Sequence, residues 1–244
     1  MDNVTAAKRL IPLLDLTSLS NTDTEYSIAD LCHKAQTPYG NTATVCIFSK
    51  FINLAKQELS DTNVKIATVI NFPHGNYDNK KINQELEIAL TYDVDEIDAV
   101  FPYQEFLNGN YTACEQFLKN ITNICKTKTL KIILETGELK SITAIQQASL
   151  MSLDAGVNFL KTSTGKTKIS ATPEAANIML ETMKSSKYNT GFKASGGIKT
   201  TMDAKQYLIL ADTIMGNSWA TPSKFRIGAS SLLNDLIKTI KQGY

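Results

Sequence analysis

Short apolar runs recur roughly every 20 to 35 residues along this chain: LIPLLDL (10–16), TATVCIF (42–48), VKIATVI (64–70), DEIDAVF (95–101), LKIILET (130–136), VNFLKTS (157–163), TGFKAS (190–195) and a less defined eighth region within 211–228. Each has the length of a strand. Between them lie segments of helical spacing. Residues 23–35 bring Ile28, Leu31 and Ala35 onto one face; residues 79–90 do the same for Ile82, Leu86 and Ala89 or Leu90; residues 111–124 align Cys114, Phe117, Leu118 and Ile121. Strand runs alternating with amphipathic helices predict parallel strands joined by crossover helices. Eight such units predict an α/β fold in which residues 1–244 form a single-domain (β/α)8 barrel. An open doubly wound sheet is the rival, but it calls for a glycine-rich turn after the first strand, where this chain reads DLTSLSNTDT (15–24).

Composition narrows the function classes. Lys and Arg total 25 against 24 Asp and Glu, so the net charge of +1 gives no reason to expect nucleic acid or a membrane surface as partner. No run approaches the length of a membrane span. LIPLLDL is interrupted by Asp15, which argues against a signal peptide and for a cytoplasmic protein. Cys32, Cys46, Cys114 and Cys125 match no zinc or redox spacing and read as reduced, packed thiols. His33 and His74 stand far apart, so neither a metal nor another cofactor is implied.

The chemistry lies in the strands. Lys161 in NFLKTSTGK and Lys193 in TGFKASGG each end a strand-type run and precede small residues. An ammonium in a dry strand costs several kcal/mol of desolvation unless compensated. The same desolvation, with the repulsion of a second cation, lowers a lysine pKa and gives a nucleophilic amine. Alternation along the strands aims Asp98, Lys161 and Lys193 into one barrel mouth, with Asp15 as a fourth residue of the same kind.

A second group points to an anion. STGK (163–166), SGGIK (195–199) and GASS (228–231) are small-residue loops at successive strand ends, and GASS would open the last helix. Glycines let backbone N–H groups approach a phosphate, and a helix N-terminus favours one. Lys166 and Lys199 would add charge. TSTGKT (162–167) is no P-loop, since Leu160 stands where that motif needs glycine.

Together these residues resemble the deoxyribose-phosphate aldolase family. The resemblance runs through LLDLTSL (13–19), QTPYGNTATVCIF (36–48), ATVINFPHG (67–75), DEIDAVFP (95–102), ILETGELK (133–140), FLKTSTGK (159–166), GFKASGGIKT (191–200) and RIGASSLL (226–233). It implies a metal-independent class I aldolase that reversibly cleaves 2-deoxy-D-ribose 5-phosphate into D-glyceraldehyde 3-phosphate and acetaldehyde. Lys161 would form the Schiff base, Lys193 would keep it deprotonated, and Asp98 would relay protons, with Asp15 beside them. Gly165, Lys166, Gly196, Gly197, Lys199, Gly228, Ser230 and Ser231 would hold the phosphate, with Thr17 counted among the substrate-binding residues. The partners implied are small phosphorylated sugars and aldehydes, and a homodimer is compatible with the resemblance. The rivals are a Schiff-base aldolase for another phosphorylated sugar and a non-catalytic phosphosugar-binding barrel.

Two departures from the family pattern stand out. Ala194 and Ser195 replace proline and alanine, and Lys199 replaces an arginine, which keeps the charge but loses the bidentate fork. In some members a long C-terminal tail ends in a tyrosine that assists proton transfer. Here only Gln242 and Gly243 separate Tyr244 from the helical pattern. A last helix over 230–241 would descend about 18 Å, and three extended residues recover about 10 Å. Tyr244 is therefore expected not to reach its own site.

Overall fold

Eight parallel strands close into a barrel: β1 (Leu14–Thr17), β2 (Thr44–Ile47), β3 (Lys65–Ile70), β4 (Glu96–Val100), β5 (Thr129–Ile133), β6 (Phe159–Lys161), β7 (Gly191–Ser195) and β8 (Phe225–Ala229), with β1 pairing both β2 and β8. The structure is a computed structural model and describes residues 1–243; Tyr244, and with it the expectation about its reach, lies outside them. Around the barrel run α1 (Asn3–Leu10), α2 (Glu25–Lys34), α3 (Ile52–Glu58), α4 (Asn79–Thr91), α5 (Tyr103–Leu107), α6 (Tyr111–Ile124), α7 (Thr136–Leu139), α8 (Ile142–Asp154), α9 (Pro173–Ser185), α10 (Thr201–Met215) and α11 (Leu232–Gln242).

Local chemistry starts and stops these elements. Asp2, Thr24, Asp78, Asn110, Ser141, Thr172 and Thr200 each cap a helix by accepting a backbone N–H two or three positions into it. The apolar faces read from the sequence are the buried ones: Ile28 and Leu31 on α2, Ile82, Leu86 and Ala89 on α4, Phe117, Leu118 and Ile121 on α6. They pack on outward strand residues such as Ile97, Ala99, Ile132, Leu160 and Phe192.

Two expectations about strands are corrected. Residues 10–16 are not one strand: α1 ends at Leu10, Ile11–Leu13 form a 3₁₀ turn, and β1 starts at Leu14. Pro12 sits at the start of that turn, where its fixed φ and missing N–H suit a helical turn better than a ladder. In the eighth region, residues 211–215 belong to α10, and only Phe225–Ala229 join the sheet. The helix has a buried apolar side of its own, including Ala211 and Ile214, which mimics a strand run.

The barrel interior follows from register. Parallel partners on adjacent strands face the same side, and β7–β8 pairs Lys193 with Arg226, β6–β7 pairs Lys161 with Lys193, and β4–β5 pairs Asp98 with Lys131. Asp15 pairs Gly228 on one side and Thr44 on the other. At the end where the strands begin, the interior is filled by Phe159. Gly191 makes room for it, since a Cβ there would stand 2.5 Å from the Phe159 ring. The Arg226 guanidinium lies 5.6 Å from the same ring.

Candidate active site

Lys161, the last residue of β6, donates from Nζ to Asp98 Oδ2 at 2.7 Å. Lys193, in the middle of β7, donates to the same oxygen at 2.7 Å, and its Nζ stands 2.5 Å from Asp15 Oδ2 as an ion pair. One carboxylate oxygen thus holds two amines side by side. Lys193 reaches this position because β8 carries glycine beside it: a Cβ on Gly228 would come within 2.9 Å of Lys193 Cε and of Ser195 Cβ. Gly228, expected only among the phosphate contacts, therefore also shapes the lysine site.

Three residues that the sequence reading passed over complete the cluster. Lys131 on β5 donates to Asp98 Oδ1 at 2.8 Å and stands 2.5 Å from Glu96 Oε2. Arg226 on β8 donates to Asp15 Oδ1 at 2.5 Å and to Glu96 Oε1 at 2.9 Å. All three carry a signal in the sequence: Glu96 is two residues before Asp98, Lys131 breaks the apolar run LKIIL, and Arg226 precedes IGA at strand spacing.

Charge decides how these groups differ. Burial pushes the Lys161 amine below its usual range; Asp98 opposes this, and the neighbouring Lys193 cation reinforces it. Burial works against charge on Lys193 too, but Asp15 and Asp98 together outweigh it and hold that ammonium above its usual value. Lys131 is likewise held charged against burial by Asp98, Glu96 and Asp15. Asp98 and Asp15 lie below the ordinary carboxylate range: burial would raise them, but the surrounding cations prevail. The buried set has three carboxylates (Asp15, Glu96, Asp98) and four basic groups (Lys131, Lys161, Lys193, Arg226). A buried excess charge is costly, so the cluster balances when one base is neutral. Lys161 is paired to a single carboxylate, Asp98, which it shares with Lys131 and Lys193, and it is the lysine of the three whose amine is pushed below its usual range.

Lys161 opens onto a cavity of about 430 Å³ at the C-terminal ends of β1, β6, β7 and β8. Of the four residues placed in the mouth by strand alternation, it is the one that lines this cavity. Asp98, Lys193 and Asp15 lie beneath it, fully buried. Asp15 is thus the deepest of the predicted set, bridging Lys193 and Arg226.

The anion loops come together as the sequence pattern suggests. Thr17, Gly165, Lys166, Gly196, Gly197, Lys199, Gly228, Ser230 and Ser231 all line the cavity, and its lining includes lysines but no Asp or Glu among the described residues. Gly196 has φ +89, and a Cβ there would stand 2.6 Å from Ser170 Cβ, so only glycine allows the β6 and β7 loops to approach. Ser231, which lines the cavity, precedes α11 without a side-chain cap, so the start of that helix lies at the cavity wall. Two details differ from expectation. Lys166 Nζ donates to Leu19 O at 2.9 Å, tying the β1 loop to the β6 loop. Thr17 Oγ1 donates to Asp15 O at 2.9 Å.

The β6 loop is held from below by Glu135. This residue has φ 56, in the left-handed region that side chains seldom adopt. Its carboxylate accepts from Thr164 N and Oγ1 and from Thr167 Oγ1. Ser195, one of the departures from the family pattern, donates to Ser163 O at 2.5 Å and joins the β6 and β7 loops. The cysteines are reduced and buried, as expected; burial raises Cys46 although it neighbours the lysines. His33 pairs with Glu58 at 2.9 Å on the surface. No helix among the described residues is long and apolar enough to cross a membrane.

Comparison with known proteins agrees with the barrel fold. The model of the DeoC/LacD family of aldolases matches residues 9–238. A Coccidioides immitis protein, described as a candidate deoxyribose-phosphate aldolase, is 30% identical over 98% of this chain and 87% of its own, with a TM-score of 0.85. A tetrameric deoxyribose phosphate aldolase from Aeropyrum pernix is 25% identical over 100% of this chain and 94% of its own, with a TM-score of 0.76. A Toxoplasma gondii structure, 22% identical over 98% of this chain and 95% of its own with a TM-score of 0.88, shares the fold.

Proposed function

The chain belongs to the DeoC/LacD family of aldolases, and from that premise we propose that it is a class I, metal-independent deoxyribose-phosphate aldolase working through a Schiff base on Lys161. The observation that carries this reading is the pair of amines on one Asp98 oxygen, with the less compensated one facing a cavity ringed by glycine loops. The substrate proposed is 2-deoxy-D-ribose 5-phosphate and the products are D-glyceraldehyde 3-phosphate and acetaldehyde.

In this reading the neutral Lys161 amine attacks C1 of the open-chain sugar to give a carbinolamine. Loss of water gives an iminium, which is an electron sink. The C3 hydroxyl gives up its proton as the C2–C3 bond breaks; C3 becomes the aldehyde of glyceraldehyde 3-phosphate, and the electron pair moves to C2 as an enamine. Protonation at C2 and hydrolysis release acetaldehyde and the amine. Asp98 is hydrogen-bonded to Lys161 and, through the same carboxylate oxygen, to the charged Lys193, and these two groups would pass the protons, together with water. The loops of β6, β7 and β8 would anchor the phosphate, so that binding energy at the remote end positions C1 at the amine.

Two measurements test the reading. Borohydride reduction in the presence of acetaldehyde should leave a two-carbon adduct on Lys161, located by peptide mass spectrometry. Cleavage of deoxyribose 5-phosphate should proceed unchanged in a chelator. No adduct at Lys161 removes the Schiff-base mechanism, and chelator-sensitive turnover removes metal independence.

A further inference from the structure

The charged cluster does not end at the residues that meet substrate. Below Lys193 and Asp98 it continues through Lys131, Glu96 and Arg226 to the opposite end of the barrel. There Glu96 and Arg226 line a second cavity of about 650 Å³, together with Asn158, Tyr188 and Lys224. Arg226 is fixed on every side: it lies over Phe159, donates from Nε to Pro222 O, and meets both Asp15 and Glu96. Gly191 clears the space in which Phe159 supports it. A cation held so firmly under the site has an electrostatic consequence as well as a packing one.

We propose that Arg226 and Glu96 are positioning residues that set, by their opposite charges, the pH range in which Lys161 is a free amine. This rests on the reading of Lys161 as the imine-forming residue. The physical basis is the charge balance of the cluster. With Arg226 present, three carboxylates face four basic groups, and Lys161 is the one whose single carboxylate, Asp98, is shared with two other lysines. Without Arg226, three carboxylates face three lysines, and all three amines can be charged. Without the Glu96 carboxylate the positive excess grows, and Lys161 is pushed further toward neutrality.

The other groups around Lys161 do not supply this control. Cys46 on β2 is a thiol whose burial raises its pKa. Ala67 and Val69 on β3 carry no charge, and Lys65 on the same strand is exposed and lies 3.8 Å from Asp95. Glu135, after β5, is occupied by Thr164 and Thr167, and burial raises its carboxyl. Asp15, Asp98, Lys131 and Lys193 are the links through which the distal pair acts, so each is already engaged.

The test uses variants that change charge with little change in volume. Arg226→Met should move the acidic limb of kcat/KM, and of the borohydride labelling rate at Lys161, to higher pH. Glu96→Gln should move both to lower pH. A unit charge on the order of 10 Å away, in a medium of effective dielectric about 20, corresponds to a shift of about one pH unit. The double variant restores the balance and should return the limb to near the wild-type position, and Arg226→Lys should leave it in place. A merely structural role would not give shifts of opposite sign that cancel. Thermal melting selects the variants that fold, and either single variant on its own decides the sign. Limbs that stay put, or single variants that shift the same way, overturn the proposal while leaving the Schiff-base reading intact. If the wild-type chain gives no label at Lys161, the Schiff-base reading itself fails.

Discussion

The two ends of the barrel interior use charge in opposite ways. At the mouth, lysines and small loop residues surround about 430 Å³ of open space, with no Asp or Glu in the wall among the described residues. At the floor the cavity is larger, about 650 Å³, yet the Arg226 guanidinium and the Glu96 carboxylate in its wall are paired with each other. The lesson is that size does not identify the reactive end. A satisfied ion pair has little left to offer a ligand, whereas amides at an uncapped helix start and a lysine that shares its one carboxylate have more. A third depression, between α6 and α8, is larger again at about 840 Å³, and Tyr111, Leu118, Leu150 and Met151 line it together with Glu115, Lys119 and Asp154.

The comparison can be broken most directly at Lys161. Lys161→Leu should reduce aldol cleavage to background and eliminate borohydride labelling; retained cleavage would place the amine elsewhere. Lys193→Met should lower kcat/KM by about 10²- to 10³-fold, a size typical of lost acid–base assistance, while circular dichroism stays unchanged. A smaller change would assign proton transfer to other groups.

The next effects separate the anion end from the floor. Lys199→Ala or Ser231→Ala should raise KM for deoxyribose 5-phosphate by about tenfold, equivalent to about 1.4 kcal/mol, and leave turnover of unphosphorylated deoxyribose alone. Lys224→Ala in the floor cavity should alter neither. Equal losses on both sugars would show that these loops do not read the phosphate. The smallest catalytic effect is expected from Gly191→Ala. The new methyl overlaps the Phe159 ring, which should lower stability by about 1–3 kcal/mol in a urea melt with kcat/KM near the wild-type value at 25 °C.

Much of this molecule was legible before folding. The helices at 79–91 and 111–124 follow from periodicity, and the inward set Asp98, Lys161 and Lys193 from strand parity. Parity failed where another signal overrode it, as with Pro12 in the first run and the buried side of α10 in the eighth. Lys131, Glu96 and Arg226 were missed for a different reason. Glu96 and Arg226 sit early in their strands and Lys131 stands mid-strand among apolar residues, and only closure of the barrel shows that all three are buried against one another.

The sequence by itself determined the alternation of strands and helices, the inward parity of Lys161 and Lys193 and the glycine loops that follow them, because these depend on neighbours along one chain. Only the tertiary structure decided which amine is pushed below its usual pKa and which is held above it. That depends on counter-charges brought from β1, β4, β5 and β8 to within a few ångströms of one another, from residues as far apart in the chain as Asp15 and Arg226. Electrostatic energy is set by distance in space and by burial, and neither is a property of sequence spacing.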